Sequence, residues 1–213
     1  MKVLGISGSP RKGSTTDQLV QEVLNGVGCD KEFISLSGKR IGPCIACLGC
    51  VKDNVCVVAD DLRPLREKIV SADAYIIGGS NYFSMLNGLA HCFLERWYQF
   101  RHREARAVAG KLGIAVGVGG GMADAPAQNI RKFFEYNQIE CVGSVTAQGA
   151  ACCFICGYGE TCKVGAIHHF FGPGTKITPE TTPDLSKQPE RIAEARRLGE
   201  ELTRRLREFG QAT

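Results

Sequence analysis

Short apolar segments alternate with segments of helical periodicity along most of the chain. The apolar segments have the length and composition of buried strands, and they occupy residues 2–6, 31–36, 74–78, 111–118 and 141–147. Apolar residues recur at helical spacing in other segments, which predicts helices around residues 19–24, 60–70, 88–101, 125–136 and 189–209. This alternation favours an α/β fold with a doubly wound sheet of five parallel strands.

Glycine-rich or polar loops follow the first, third and fourth predicted strands, at residues 7–16, 79–88 and 119–121. The carboxyl ends of parallel strands open at one edge of a sheet, so we expect these loops to lie together. In the flavodoxin-like strand order 2-1-3-4-5, a mononucleotide binds at this edge, between strands 1 and 3. The loop at residues 37–61 follows the second strand, so it is expected beside that nucleotide site.

The first of these loops, S-G-S-P-R-K-G-S-T-T, joins a strand to a helix and is rich in hydrogen-bond donors. Backbone N–H groups and the helix dipole favour an anion at such a place. The Walker pattern is incomplete because Ser14 stands where the lysine should be, and the Rossmann glycine pattern is absent. A terminal monophosphate therefore fits best, with an ordinary helix cap as the alternative. The candidate donors are Ser7, Ser9, Arg11, Ser14, Thr15 and Thr16.

Two groups of cysteines lie outside the predicted strands and helices. The first has the spacing C-x2-C-x2-C-x5-C and comprises Cys44, Cys47, Cys50 and Cys56. Such spacing is typical of iron–sulfur ligands, with zinc, redox-active thiols and structural thiols as alternatives. The second group lies in an irregular insertion at 148–188 and comprises Cys152, Cys153, Cys156 and Cys162. It is compatible with a second metal site, a thiol cluster at a subunit interface, or a flap over a neighbour's cofactor.

Composition and charge limit the number of domains, the classes of partner and the chemistry that the chain can have. With 213 residues, 44% hydrophobic and 23% charged, the chain suits one globular domain over residues 1–213. The net charge of +4 comes from scattered basic residues, so no nucleic-acid partner is expected. No apolar stretch has the length of a membrane span or signal sequence, which predicts a cytoplasmic protein without a membrane partner. The eleven cysteines then indicate metal or redox chemistry rather than disulfides.

The loop G-S-P-R-K-G-S-T-T resembles the phosphate loop of the NAD(P)H-dependent FMN reductase branch of flavodoxin-like proteins. The first cysteine group, followed by Asp60 and Asp61, resembles the iron–sulfur flavoproteins of that branch. The resemblance covers residues 1–147 and resumes in the final helix, at A-R-R-L-G-E-E-L. It implies FMN, a [4Fe–4S] cluster on the four cysteines of the first group, and a homodimer or homotetramer. The FMN phosphate would contact Ser9, Arg11, Ser14, Thr15 and Thr16, and its ring would contact Asn81, Tyr82, Phe83, Ser84, Met85, Gly119, Gly120 and Gly121.

These features together predict an FMN-dependent oxidoreductase. We expect it to link a one-electron donor such as ferredoxin to a two-electron acceptor, with no protein acid, base or nucleophile as a catalytic residue. NAD(P)H is a further candidate donor. One alternative is an NAD(P)H-dependent FMN or quinone reductase without a cluster, and another is a sensor of metal or redox state.

Several residues are expected to have structural roles only. Trp97 and Tyr98 are interpreted as packing or interface residues, and the pair Glu95–Arg96 as a structural or subunit contact. His91 and His102 are predicted to be helix residues, with no partner motif in the sequence. Three further cysteines are expected to be small core residues: Cys29, Cys92 and Cys141.

Overall fold

The computed structural model describes residues 1–104 and 106–211. Its strands are β1 (Lys2–Ser7), β2 (Asp30–Ser35), β3 (Ala74–Tyr82), β4 (Met85–Leu86), β5 (Leu112–Gly119) and β6 (Glu140–Gln148). Its α-helices are α1 (Thr15–Asn25), α2 (Arg66–Ser71), α3 (Gly88–Glu95), α4 (Asp124–Tyr136), α5 (Ala166–Phe171) and α6 (Pro189–Gln211). Short 3₁₀ helices lie at Arg63–Leu65, Arg96–Phe100, His102–Glu104, Cys152–Phe154 and Leu185–Lys187.

The sheet confirms the flavodoxin-like order. Five strands pair in parallel in the order β2-β1-β3-β5-β6, and β4 adds antiparallel to the end of β3. Ile6 of β1 pairs with Ile34 of β2 on one side and Ile77 of β3 on the other. The chain passes from β2 at one edge to β3 on the other side of β1, so the carboxyl end of β1 opens at the switch point where the strand order reverses.

Each face of the sheet is covered by helices, as the continuous apolar strands predict. One core packs α1 and α6 against the sheet, through Leu19 and Leu202 among others. The opposite core packs α2, α3 and α4 and contains Phe93 and Phe134. Trp97 lies in this second core, with its ring edge-to-face against four aromatic rings at 5.1 to 5.8 Å. Its predicted packing role is confirmed.

Three predicted elements were wrong in extent. The helix predicted around residues 60–70 is a 3₁₀ helix at Arg63–Leu65 followed by α2 at Arg66–Ser71. The third strand continues to Tyr82 and turns back through Phe83 and Ser84, whose φ values are +53° and +61°, so the 79–88 loop is largely a hairpin. The predicted helix over 88–101 is α-helical only to Glu95, and a 3₁₀ helix follows over Arg96–Phe100. Residues three apart in a 3₁₀ helix lie on one side, which buries both Trp97 and Phe100 in the same core.

The insertion at 148–188 also has more structure than its sequence pattern predicts. It contains α5 and two 3₁₀ helices, at Cys152–Phe154 and Leu185–Lys187. The loop at 37–61, by contrast, contains neither helix nor strand. Over residues 1–104 and 106–211, none of the helices combines the length and apolar character needed to cross a membrane.

Candidate functional site

The loops after β1 and β3 meet at the carboxyl edge of the sheet, and hydrogen bonds join them. Gly8 N donates to the Gly78 carbonyl at 2.8 Å, which extends the β1–β3 pairing into the first loop. Asn87 lies at the start of α3 and is buried, with its side-chain amide donating to the Gly8 carbonyl at 2.7 Å. Its amide oxygen accepts from Ser80 N at 3.0 Å. Asn87 therefore fixes the two loops relative to each other, a role that the sequence pattern did not indicate.

The phosphate loop is organised as the N-terminus of α1. Ser14 Oγ caps this helix by accepting from Asp17 N at 3.2 Å, and the Asp17 carboxylate accepts from Gly13 N at 2.9 Å. Gly13 has a φ of +66°, a conformation that glycine adopts readily. The helix-cap interpretation is thus realised. It is compatible with a bound anion, because the capping oxygen acts as acceptor and leaves the hydroxyl hydrogen free to donate.

The predicted phosphate donors differ in their exposure to solvent. Ser7, Ser9 and Thr16 are buried within or beneath the loop, whereas Ser14 and Thr15 are partly exposed and Arg11 is exposed. The Ser9 hydroxyl shapes the loop from within, since it accepts from Arg11 N at 3.2 Å. The surface of the loop is therefore formed by Ser14, Thr15 and the cation Arg11.

Arg11 joins the phosphate loop to the insertion. Its guanidinium donates to the Ala150 carbonyl at 3.1 Å. A guanidinium has five N–H donors, so this contact leaves donors for an anion. Gly149 lies against Thr15 from the same segment: a Cβ on Gly149 would be 3.3 Å from Thr15 Oγ1. The start of the insertion therefore lies over the phosphate loop.

Asn81 connects the two loops predicted to contact a flavin ring. Its side-chain amide donates to the Gly121 carbonyl at 2.8 Å. Asn81 Oδ1 and the neighbouring Ser80 Oγ are both buried without a hydrogen-bond partner among the described residues. Buried polar atoms are rarely left unpaired, so these two positions fit a ligand that carries polar groups on its edge.

Exposed apolar side chains surround this polar pair. Phe83 at the hairpin tip is 93% exposed, and Tyr82, Met85 and Met122 are also exposed. The Ser84 hydroxyl donates to Met122 Sδ at 3.1 Å, which ties the hairpin to the glycine loop. Flat apolar surface beside a few polar groups is typical of a binding site for a ring system.

The insertion reaches the glycine loop of its own chain. A Cβ on Gly120 would lie 2.8 Å from Ala151 Cβ, and one on Gly121 would lie 2.6 Å from Phe170 Cε1. The absence of a side chain at these two glycines permits this close approach. The structure thus places α5 against the 119–121 loop of the same chain.

The cysteine loop at 37–61 is held against the helical segment 88–104. The Arg96 side chain is only 1% exposed, and Nη1 donates to Asp60 Oδ2 at 2.6 Å and to the Gly42 carbonyl at 3.1 Å. Burial alone would raise the pKa of Asp60, but hydrogen bonds from Arg96, Gly42 N and Leu62 N hold it below its usual value. The pair is thus a structural contact within the chain, one of the two roles expected for Arg96.

Further bonds position the cysteines themselves. Cys44 N donates to Glu95 Oε2 and Cys56 N to Gln99 Oε1, each at 3.1 Å. Cys44 and Cys47 are exposed, whereas Cys50 and Cys56 are half-buried. Burial raises the pKa of the Cys50 thiol, and the charges of the other three cysteines of the group raise it further. The four thiols are therefore close enough to interact electrostatically.

The thiols do not converge on one point. Within the described ranges, no group of three or more His, Cys, Asp or Glu side chains has the arrangement of a metal site. The chemistry of the donors nevertheless fits a thiophilic centre. Four thiols on one anchored loop repel one another when ionised, and a metal centre offsets that repulsion.

His102 is the functional candidate that the sequence pattern missed. Its Nε2 lies 3.1 Å from Cys50 Sγ, although the two residues are separated by 52 positions. His91, by contrast, lies 3.8 Å from Glu95 in an exposed pair on α3. No local motif marks His102, because its contact arises only when the loop folds onto the 88–104 segment.

The second cysteine group lies on the insertion without forming a closed set. Cys153 Sγ accepts from Ala166 N at 3.3 Å, and the Cys156 thiol donates to the Cys153 carbonyl at 3.5 Å. His168 Nε2 is 2.8 Å from the Glu160 carbonyl, so that ring nitrogen has a backbone partner. Cys152 and Cys156 are exposed, and Cys153 and Cys162 are half-buried. The three alternatives for this group stay predictions.

The comparisons with known proteins agree with this arrangement. Residues 1–150 match the family described as NADPH-dependent FMN reductase. An iron–sulfur flavoprotein of Methanocaldococcus jannaschii is 36% identical over 149 residues, which cover 67% of this chain and 76% of that protein. One from Methanosarcina thermophila is 30% identical over 142 residues, covering 65% and 74%.

Solved structures show the same fold at low identity. A flavone reductase superimposes with a TM-score of 0.64 and 17% identity, over 100% of this chain and 65% of that one. RosB with a bound 8-demethyl-8-formylriboflavin-5′-phosphate intermediate superimposes with a TM-score of 0.66 and 15% identity, over 100% and 81%. At these identities the likeness establishes the flavodoxin-like architecture.

Proposed function

The chain belongs to the NADPH-dependent FMN reductase family and, within it, to the iron–sulfur flavoproteins, and on that premise we propose that it carries both FMN and one [4Fe–4S] cluster. It is an FMN-dependent oxidoreductase. In the proposed role it transfers electrons between a one-electron donor such as ferredoxin and a two-electron acceptor. When bound, the cluster supplies one-electron transfer and the flavin stores one or two electrons.

One observation supports this pairing most directly: the two candidate cofactor loops touch. The Ser37 hydroxyl, at the start of the cysteine loop, donates to the Pro10 carbonyl of the phosphate loop at 3.0 Å. The Ser35 hydroxyl, at the end of β2, lies 3.4 Å from the Asp17 carboxylate of α1. A protein that holds two redox groups on adjoining loops can pass electrons between them, whereas widely separated sites could not.

The chain's own residues would bind and orient the flavin. Ser14, Thr15 and Arg11 lie at the loop surface, where they would donate to the phosphate, and Ser9 and Thr16 would support the loop from below. Ser7 is fully buried, so its role would be to shape the loop. The unpaired Asn81 Oδ1 supports a contact with the polar edge of the ring.

The remaining ring contacts would come from the hairpin and the glycine loop. Tyr82, Phe83, Ser84 and Met85 would cover the ring from the hairpin, and residues 119–121 would approach it through their backbone. Exposed aromatic and methionine side chains at this edge also suit a second subunit, which supports a homodimer or homotetramer.

The cluster would be held by Cys44, Cys47, Cys50 and Cys56. The electrostatic interaction of the other three cysteines with Cys50 and the buried Arg96–Asp60 clamp support one anchored centre. The alternative function is an NAD(P)H-dependent FMN or quinone reductase without a cluster. The observation that favours it is the open arrangement of the thiols in the described residues.

Anaerobic purification separates these functions. The proposal predicts a brown protein with about four irons and four sulfides per chain beside a flavin spectrum. An iron-free yellow protein that oxidises NAD(P)H would establish the alternative, and a colourless protein would contradict both.

Replacing Cys50 with Ala tests the assignment of the loop. The variant should lose its iron and keep FMN, because the hydrogen bonds of Cys50 are to Asn54 and His102, which are not phosphate donors. Cys29→Ala is the matched control, since Cys29 is also half-buried but lies beside β2, and it should keep both groups. Loss of flavin together with iron in the Cys50 variant would contradict separate sites.

A further inference from the structure

His102 and Cys50 are joined by a closed ring of hydrogen bonds. Asn54 N donates to the Cys50 carbonyl at 2.8 Å, and His102 N donates to Asn54 Oδ1 at 3.0 Å. The His102 Nε2–Cys50 Sγ contact of 3.1 Å completes the ring. Asn54 has a φ of +58°, a left-handed conformation that asparagine tolerates better than most residues. Two hydrogen bonds, one between backbone groups and one from His102 N to the Asn54 side chain, therefore orient the imidazole toward the sulfur.

Arg103, which follows His102 in the chain, anchors the backbone at His102 from the other side. Arg103 has a φ of +53°, and its Nη1 donates to the Lys52 carbonyl at 3.0 Å. The Tyr98 ring lies 6.3 Å from the His102 ring between centroids and flanks it. The histidine is thus held to the cysteine loop on both sides of its Cα, by Asn54 and by the Arg103–Lys52 contact.

We propose that His102 is a positioning residue that donates an Nε2–H···S hydrogen bond to Cys50 when this cysteine ligates the cluster. The proposal rests on the proposed function. A ligating thiolate is an acceptor only, so the imidazole nitrogen that faces it carries the hydrogen. Hydrogen bonds to cluster sulfurs set the reduction potential. The reduced cluster has the larger negative charge, so a donor stabilises it more than the oxidised form and raises the potential.

Cys50 is the ligand at which such a donor matters most. Cys44 and Cys47 are exposed and can accept hydrogen bonds from water, whereas Cys50 is half-buried. A hydrogen bond is electrostatically stronger where water is excluded. The other half-buried cysteine, Cys56, has a backbone bond to Gln99 and lies beside Arg96. The 88–104 segment therefore lies against both half-buried cysteines of the loop.

The test is a redox titration of the holoprotein under anaerobic conditions, followed by optical and EPR signals of the cluster. We expect His102→Leu to keep its iron, sulfide and FMN and to lower the equilibrium constant for cluster reduction about tenfold. For a one-electron couple this is a shift of about 59 mV to more negative potential. His102→Gln keeps an N–H donor and should lie closer to the wild-type value. His169→Leu is the matched control, since His169 is exposed on α5.

A spectroscopic measurement supplies a second readout. Pulsed EPR of the reduced protein in D₂O should detect an exchangeable deuteron coupled to the cluster, and this coupling should weaken in His102→Leu. An unchanged potential and coupling in that variant would overturn the assignment. Loss of iron from both His102 variants would overturn it as well, because the residue would then be needed for assembly. Failure of the proposed function can be distinguished from failure of this inference, because in the first case the wild-type protein would itself contain no iron.

Discussion

Replacing Arg96 with methionine removes the guanidinium that clamps the cysteine loop and keeps most of the side-chain volume. In the wild type the Arg96 side chain is 1% exposed and that of Asp60 is 13% exposed, so the pair is largely removed from water. The substitution leaves Asp60 with two backbone N–H donors and leaves the Gly42 carbonyl without its side-chain donor. Breaking a buried ion pair by removing one partner costs about 3–5 kcal/mol.

Urea unfolding, followed by far-UV circular dichroism, measures this loss. With an m-value of about 2 kcal/mol per molar urea, the midpoint should fall by about 1.5–2.5 M. The double variant Arg96→Met/Asp60→Asn should recover part of the loss, because it removes the orphaned charge. Arg204→Met is the matched control: Arg204 pairs with Glu201 on the exposed face of α6, and its midpoint should not change.

Two results would refute this reasoning. A loss below about 1 kcal/mol in Arg96→Met, the range of exposed pairs, would mean that the pair does not clamp the loop. A double variant no more stable than the single one would mean that an uncompensated charge is not the cause. Iron analysis of Arg96→Met adds a functional readout, since a loosened loop should bind less iron.

Three further predictions concern other contacts. Ser14→Gly should change the free energy of unfolding by only a few tenths of a kcal/mol, because glycine is tolerated at an N-cap. The affinity for FMN should fall about tenfold or more, and the affinity for riboflavin should not fall. Equal losses for both flavins would contradict a phosphate contact. Asn87→Ala should lower the free energy of unfolding by about 2–3 kcal/mol, since it removes a buried hydrogen bond to Gly8 and a partly buried one from Ser80. Urea titration is the check, with Asn25→Ala, at an exposed position of α1, as the control. The pKa of Asp60 in the folded state is below its unfolded value of about 3.9. Its contribution to stability is therefore present above that pH and is lost as pH falls through the folded pKa. The difference in unfolding free energy between wild type and Asp60→Asn should be constant near neutrality and shrink in acid.

The sequence determined the elements and their order. Apolar segments of strand length alternating with amphipathic helices leave few topologies, because parallel strands need crossover connections and these are right-handed. The flavodoxin-like order 2-1-3-4-5 is one of these topologies, and the structure confirms it. The position of the phosphate loop followed too, since in that order the loop from strand 1 to the first helix opens at the switch point. The cysteine spacing and the neighbouring pair Glu95–Arg96 were also local enough to single out.

The tertiary structure decided how these parts meet. The 88–101 helix breaks at Arg96 because Trp97 and Phe100 must face one core, which helical periodicity alone did not reveal. The insertion folds onto residues 119–121 through glycine contacts that leave no mark in a hydrophobic pattern. His102 reaches Cys50 across 52 positions. Periodicity reports which face of a segment is buried, whereas the partner of a single polar side chain depends on how distant segments pack.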